Sequence, residues 1–515
     1  MMNDAEDAGR RQLKANLHRA LESQILGAMK YSAAHLLAAL SCLSLGEPVF
    51  AGGAGRVLPH PQIEDYGRGV FQLGPQAARF TVSFKGISPS ESAACQNGFR
   101  RLSKRLTLLG AGGITIEARG GDAQFVITKA SAKQFSRLLR EQGAREMLTG
   151  KRLEQAYTLV CRHRYRNRAS VQVTACSELG IYYGLVSLCQ LLDKAEAGSV
   201  CLPDVKIADW PEIGLRLAKT SASMLHLPAL QEFAALLPVY KMNVMGLQYH
   251  GTNSNQVEPF RENVQAVCSR ARQNGILETI VYFCPFRGKA YDFNLPADQQ
   301  RYVEFLQWML AQGANGIEVD YNDWPGRGTP IEDVINLACH AVAEKSPHAY
   351  VLYCPPNRGS SVYRGPASAE MTRILSRVPT NVWPLWTGIA TNNALISKPL
   401  DPADVEAWTR AAGRRPFLWV NRVGAQDKTK RPFACPVDEV PGAFAFRGEF
   451  LPKELNRLFE GIHFNAAPMS RSDPEALAYL ATAADYVWNP RGWEAADSCR
   501  RARRFVEIMV PLLEE

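Results

Sequence analysis

None of the 12 cysteines pairs with another at CxxC spacing, and with Cys42 set aside the rest form an odd, scattered set. A zinc ribbon and a disulfide framework both need regular paired spacings, so neither is indicated. Proline and glycine, 31 and 39 in 515 residues, are too sparse for a collagen-like or low-complexity chain. With 46% hydrophobic and 21% charged residues, bulk disorder is excluded as well. No His/carboxylate cluster has zinc-ligand spacing, and no metal or organic cofactor is called for. The formal charge of +9 is spread thinly, and no nucleic-acid module accompanies it. Its densest cluster, Arg162, Arg164, Arg166 and Arg168, alternates with His163, Tyr165 and Asn167 and reads as one solvated strand face. A nucleic-acid partner is therefore not expected.

Long apolar runs are also missing, with one partial exception. After Met29 and Lys30 comes an interrupted apolar stretch from Tyr31 to Gly46, followed by small residues near Ala51. The stretch is too short for a stable membrane span and matches a secretory signal, which implies a periplasmic or secreted protein. Residues before Met29 fit that reading only if Met29 is the true initiator; otherwise the segment is an amphipathic amino-terminal helix. Export would permit one or two disulfides. Cys284, Cys339 and Cys354, in strongly apolar contexts, read as small core residues.

What is present is a long alternation of strands and helices. Residues 1–54 form the extension that carries the signal-like segment. Residues 76–211 mix strand patterns (Phe80–Phe84, Gly113–Ala118, Ala156–Val160, Ala169–Thr174) with helical ones (Asn97–Leu109, Glu178–Leu192), and the unit ends at Asp209, Trp210 and Pro211. Residues 212–490 then carry eight short apolar runs separated by helical segments. The runs are Gly214–Thr220, Asn243–Tyr249, Thr279–Pro285, Gly316–Tyr321, Ala349–Pro355, Asn381–Thr387, Pro416–Asn421 and Gly461–Ala466. Eightfold strand–helix repetition predicts parallel strands closed into a (β/α)8 TIM barrel. An open doubly wound sheet would show a glycine-rich phosphate turn after its first strand, which is absent. Residues 491–515 close the chain as a helix.

Barrel enzymes collect their reactive groups at the carboxyl ends of the strands. Those ends are polar and aromatic here: Gln248 to His250, Asp320 to Trp324, Asn357 and Arg358, Trp386, Trp419 and Asn421, then Asn465. Indole rings beside amides and carboxylates suit a sugar, whose C–H faces stack while its hydroxyls hydrogen-bond. Barrel-end packing and helix capping explain the same residue types without a ligand. The fourth run is the densest: Glu318, Asp320 and Asn322 share one side of a regular strand, and Asp323 steps off its end. A carboxyl shielded by Trp324 has its proton affinity raised and suits a general acid. Pairing of either acid with a buried arginine is the structural alternative.

Several pieces together resemble glycoside hydrolase family 84, the β-N-acetylglucosaminidases and O-GlcNAcases. In the first module these are Tyr157 to Val160, Ser177 to Leu192 and Ile207 to Pro211. In the barrel they are Lys241 to Asn243, Gly313 to Asp323, Leu385 to Gly388, Trp419 to Asn421, Phe464 and Asn465, and Ala483 to Asn489. The resemblance spans most of residues 76–490. It implies a smaller α/β hexosaminidase-type domain before the barrel and a carbohydrate or glycoconjugate substrate. It also implies retaining hydrolysis of 2-acetamido-β-sugars, in which the acetamido oxygen itself attacks the anomeric carbon. Of the two adjacent aspartates such enzymes carry after the fourth strand, Asp323 matches the acid/base and Asn322 replaces the residue that orients the acetamido group. An amide can hydrogen-bond that group but cannot balance positive charge forming on it.

By the same resemblance His250, Arg358, Trp386, Trp419, Asn421, Asp427, Asn465 and Trp488 bind substrate, and the strand-end reading adds Asp320. His250 and Arg358 stand where a lysine and a tyrosine are expected, which suggests an acidic substrate group, though Arg358 could instead pair with an aspartate. Gly316 to Tyr321 also resembles a chitinase-type strand, a register that puts Asn322 in the acid's place and leaves the enzyme inactive. A glycan-binding pseudoenzyme, and a glycosidase using Asp320 with Asp323 on a substrate lacking the acetamido group, stay open as alternatives.

Overall fold

The computed structural model of the chain describes residues 55–72, 80–88, 90, 92–111, 114–116, 125–164, 168–195, 200–221, 227–249, 257–274, 277–283, 291–320, 331–346, 349–354, 369–386, 399–421, 434–436, 444–465 and 474–513. The signal-like segment lies outside them.

The amino-terminal sheet contains β1 (Ile63–Gln72), β2 (Phe80–Lys85), β3 (Ile114–Ile116), β4 (Phe125–Lys129), β5 (Tyr157–Arg164), β6 (Arg168–Ala175), β7 (Asp193–Lys194) and β8 (Val200–Asp209). Its order is β1-β8-β5-β6-β4-β2-β3, with β7 on β8. The helix Glu178–Leu191 is buried nearly all round, as its apolar sequence requires. It can press onto the sheet because Gly180 and Gly184 face it. A Cβ at Gly180 would meet the Ala156 carbonyl oxygen at 2.4 Å, and one at Gly184 would meet Val173 at 2.6 Å. Ser177 caps the helix, its hydroxyl accepting from the Gly180 amide at 3.0 Å.

The arginine cluster is carried by two strands rather than one. Arg162 and Arg164 lie on β5 and Arg168 on β6, which run antiparallel with Arg164 opposite Arg168, so the cluster folds back into a hairpin whose tip lies outside the described residues. The alternation of residue types in the sequence gives no sign of the turn.

The barrel is built from β9 (Leu215–Ser221), β10 (Val244–Tyr249), β11 (Glu278–Phe283), β12 (Gly316–Asp320), β13 (Tyr350–Cys354), β14 (Val382–Trp386) and β15 (Phe417–Asn421). A two-stranded excursion follows, β16 (Ala434–Pro436) with β17 (Phe444–Phe446), before β18 (Gly461–Asn465) closes the ring on β9. Every neighbouring pair in the ring is parallel. Each of the eight apolar runs is therefore a barrel strand, and the architecture is the expected (β/α)8 barrel behind a smaller α/β sheet.

Asparagines at the amino ends stitch the strands into register. Asn243 accepts from the Arg216 amide and donates to the Gly214 carbonyl, both at 2.9 Å. Asn315 accepts from the Thr279 amide at 2.9 Å.

Side chains of the barrel strands divide between two packed clusters. Leu215, Leu217, Val244, Ile280, Leu352, Cys354, Leu385, Phe417 and Trp419 fill the interior. Their sequence neighbours, such as Ala218, Met245, Val281, Val319, Tyr353 and Val420, join the larger core beneath the helices. Nine described cysteines are free thiols, Cys339 and Cys354 among them and buried. Among the described residues no helix is long and apolar enough to cross a membrane.

Candidate active site

Alternation along a strand fixes which residues face the barrel axis. On β12, Ile317 and Val319 pack outward, so Gly316, Glu318 and Asp320 face in. The same parity puts Lys219 of β9, Gln248 of β10, Tyr282 of β11, Trp419 of β15, and His463 and Asn465 of β18 inside. Asp320 and Asn465, both named by the sequence, end their strands on this inward face. Asp320 is wholly buried and Asn465 half-buried. Asn421 ends β15 opposite Asn465 in register, its side chain outside what the structure describes.

Below that rim is a polar layer the sequence reading missed. The Lys219 ammonium lies 3.3 Å from a Glu318 oxygen and sits 3.8 Å from the centre of the Tyr282 ring and 4.9 Å from that of Trp419. The other Glu318 oxygen is 3.9 Å from Nε2 of His463, whose ring stacks on Trp419 with centres 5.6 Å apart. Burial pushes the Glu318 carboxyl above its ordinary range, and Lys219 pulls it partly back. Burial, and then Lys219, hold His463 well below its ordinary value, so the imidazole is neutral. The partner of Glu318 is thus a lysine. Part of the signal was available: Lys219 and His463 both stand at inward parity within predicted strands, His463 as a single polar residue between Ile462 and Phe464.

Two predicted sugar-binding tryptophans lie elsewhere. Trp386 ends β14 but has outward parity; its ring packs 5.9 Å from Trp408 and 6.4 Å from Phe459, beneath the helix layer. Trp488 ends the helix Pro474–Trp488 at the opposite, amino-terminal end of the barrel. There its indole donates to Asp209 at 2.7 Å and its ring lies under Lys241 and Arg216. Both are wholly buried packing residues: Trp386 faces away from the barrel interior, and Trp488 lies at the foot of the barrel. Asn322, Asp323, His250, Arg358 and Asp427 lie outside the described residues.

An inward carboxylate and amides, with a cation and aromatic rings below them, make the carboxyl end of an otherwise apolar barrel interior polar. Groups of these types can bind hydroxyl and amide groups directionally and steady charge that develops on a ligand.

The fold resembles that of hexosaminidases from two glycoside hydrolase families. Against the solved structure of CpGH84B the TM-score is 0.62 at 17% identity, covering 87% of this chain and 73% of that one. For the GH20 exo-β-N-acetylglucosaminidase of Vibrio harveyi, solved with N-acetylglucosamine, the TM-score is 0.58 at 13% identity, covering 89% and 77%. For the GH20 β-N-acetylhexosaminidase of Streptomyces coelicolor A3(2) it is 0.57 at 14% identity, covering 88% and 96%. No family model matches the sequence, and no curated protein does. At these identities the likeness is one of fold, and function rests on the residues themselves.

Proposed function

We propose that the protein is an exported glycoside hydrolase that removes terminal 2-acetamido-β-sugars with retention of configuration. The observation that carries this reading is the inward polar layer at the carboxyl ends, Gln248, Asp320 and Asn465 over Lys219, Tyr282 and Trp419, in a barrel of hexosaminidase-like fold.

In this reading Asp323, three residues beyond Asp320, donates a proton to the departing glycosidic oxygen while the acetamido oxygen closes on the anomeric carbon. The resulting oxazolinium is opened by water, from which Asp323 takes the proton back. Asn322 orients the acetamido group through its side-chain amide. Trp419 supports the sugar, and Asn421, Asn465, His250, Arg358 and Asp427 bind its polar groups. Asp320 contributes the buried negative charge that Asn322 lacks.

The test is a panel of chromogenic β-glycosides: 2-acetamido-gluco, 2-acetamido-galacto and the matching sugars without the acetamido group. Turnover confined to acetamido sugars, with the β-anomer as first product by ¹H NMR, is the expected result. Turnover confined to sugars lacking the acetamido group contradicts it. The amide at Asn322 favours one second reading, a glycan-binding protein without turnover, which the same panel identifies by calorimetric binding with no release of chromophore.

A further inference from the structure

The His60 ring lies between two acceptors. Its Nδ1 is 2.9 Å from the Gly492 carbonyl oxygen, and its Nε2 is 3.2 Å from a Glu64 carboxylate oxygen. A neutral imidazole carries one N–H and can donate to only one of them; the doubly protonated ring donates to both. Glycine is what admits the backbone so close, since a Cβ at Gly492 would stand 3.0 Å from His60 Nδ1.

The contacts around this ring tie separate parts of the chain together. The His60 amide donates to Asp485 of the helix Pro474–Trp488, and the other Asp485 oxygen pairs with Arg501 of the helix Ala495–Met509 at 2.8 Å. Glu64 lies on β1, and its oxygen that faces His60 also accepts from the Gly55 amide at 3.2 Å.

We propose that His60 is a pH-operated latch: as the imidazolium it fastens residues 55–60 to β1 and to the bend at Gly492, and on losing its proton it lets go of one side. The proposal is independent of the hydrolase reading.

The charged groups facing the ring, among the described residues, set the direction of the response. Burial disfavours its charged form and Arg501 repels it. The Glu64 hydrogen bond and charge, with the charge of Asp485, outweigh both and hold the proton affinity of the ring above its ordinary value. Burial alone would raise Asp485, but Arg501, Ser498 and the His60 amide bring its carboxyl below the ordinary range, so it stays charged as the ring titrates. Arg500, Arg504 and Asp497 line the same cavity of about 320 Å³, where Arg500 pairs with Asp497 and Arg504 with Asp193. The ring borders this cavity with 22% of its side chain exposed and can exchange its proton with solvent. A value raised in the folded state means the latch is at full strength below the ordinary histidine range and is lost as pH rises through the folded value.

The test follows the ring and the fastened amides in full-length protein, because Glu212, which burial pushes up to about 7, titrates in the same range and would confuse a global melt. NMR of ¹⁵N-labelled histidine, with His60 assigned by its loss in His60→Gln, is expected to show both ring nitrogens protonated at pH 6. The midpoint is expected above that of a histidine in an unstructured peptide, and Glu64→Gln is expected to lower it. Hydrogen exchange of the Gly55 and His60 amides, corrected for intrinsic rate, is expected to lose protection between pH 6 and pH 9. The loss is about tenfold for each pH unit by which the midpoint is raised, and it is absent in His60→Gln. His60→Asn replaces the Gln variant if that one does not fold. A neutral ring at pH 6, a midpoint at or below the peptide value, or wild-type protection that ignores pH overturns the proposal.

Discussion

The Lys241 ammonium lies 2.8 Å from the Asp209 carboxylate, and both side chains are wholly buried. Asp209 ends the last strand of the amino-terminal sheet, and Lys241, at a left-handed φ of 57°, opens the turn into β10. The second Asp209 oxygen accepts from the Trp488 indole at 2.7 Å and from the Gln62 amide at 3.1 Å. One carboxylate thus joins the first sheet, the foot of the barrel and its last helix. Burial draws the Lys241 amine below its ordinary range, and Asp209 opposes that. Asp209→Asn leaves a buried cation unpaired and is expected to cost about 3–5 kcal/mol in denaturant unfolding. The Asp209→Asn/Lys241→Met double variant is expected to cost less than the first substitution alone.

Glu212, two residues into the joint, gives the fold a pH dependence of its own. Burial pushes its carboxyl up to about 7, with Arg152 only partly opposing. A raised folded-state value means the native state holds the proton more tightly. The stability linked to it is present in full below the ordinary carboxyl range and is lost as pH rises through about 7. Glu212→Gln removes this loss, so the variant is expected to be more stable than the parent at pH 8 by roughly 3 kcal/mol and equal to it near pH 4. Thermal unfolding across that pH range checks it.

Trp386 and Trp419 both end or nearly end barrel strands, yet they face opposite ways. Trp419→Phe shrinks the buried ring stacked on His463 and is expected to raise KM roughly three- to tenfold, with a stability loss of roughly 1–3 kcal/mol. Trp386→Phe is expected to leave KM unchanged and lower unfolding stability by roughly 1–3 kcal/mol, since it opens space beside Trp408. Steady-state kinetics with denaturant melts on both variants checks the assignment.

Gly461 begins β18 on the inward face, where a Cβ would lie 2.2 Å from the Phe417 ring. Gly461→Ala forces that ring aside and is expected to cost about 1–3 kcal/mol. Combining it with Phe417→Leu should recover part of the loss, measured by the same melts.

The eight barrel strands were readable because parallel strands buried on both faces leave continuous apolar runs between helices. β1 was not: it lies at the sheet edge, pairs only with β8, and its register shifts between Tyr66 and Val70, which breaks the alternation a strand pattern depends on. The inward placement of Asp320 and Trp419 near strand ends was legible because the carboxyl ends of strands could be located from sequence. Trp386 was misassigned because one residue of register decides between cavity and helix layer. Trp488 was misassigned because the end of the last helix lies at the foot of the barrel, a fact of topology rather than of local pattern. Lys219 and His463 escaped because strand parity places a polar residue on the inward face but does not name its partner across the barrel.

The most direct test of the hydrolase reading compares wild type with Asp323→Ala on two aryl 2-acetamido-β-glucosides, one with a poor leaving group and one with a good one. Protonation matters chiefly for the poor leaving group. Asp323→Ala is therefore expected to lose roughly 10²–10⁴-fold in kcat/KM on that substrate and far less on the other. Equal losses on both substrates, or full activity of the variant on the poor one, would contradict the role given to Asp323.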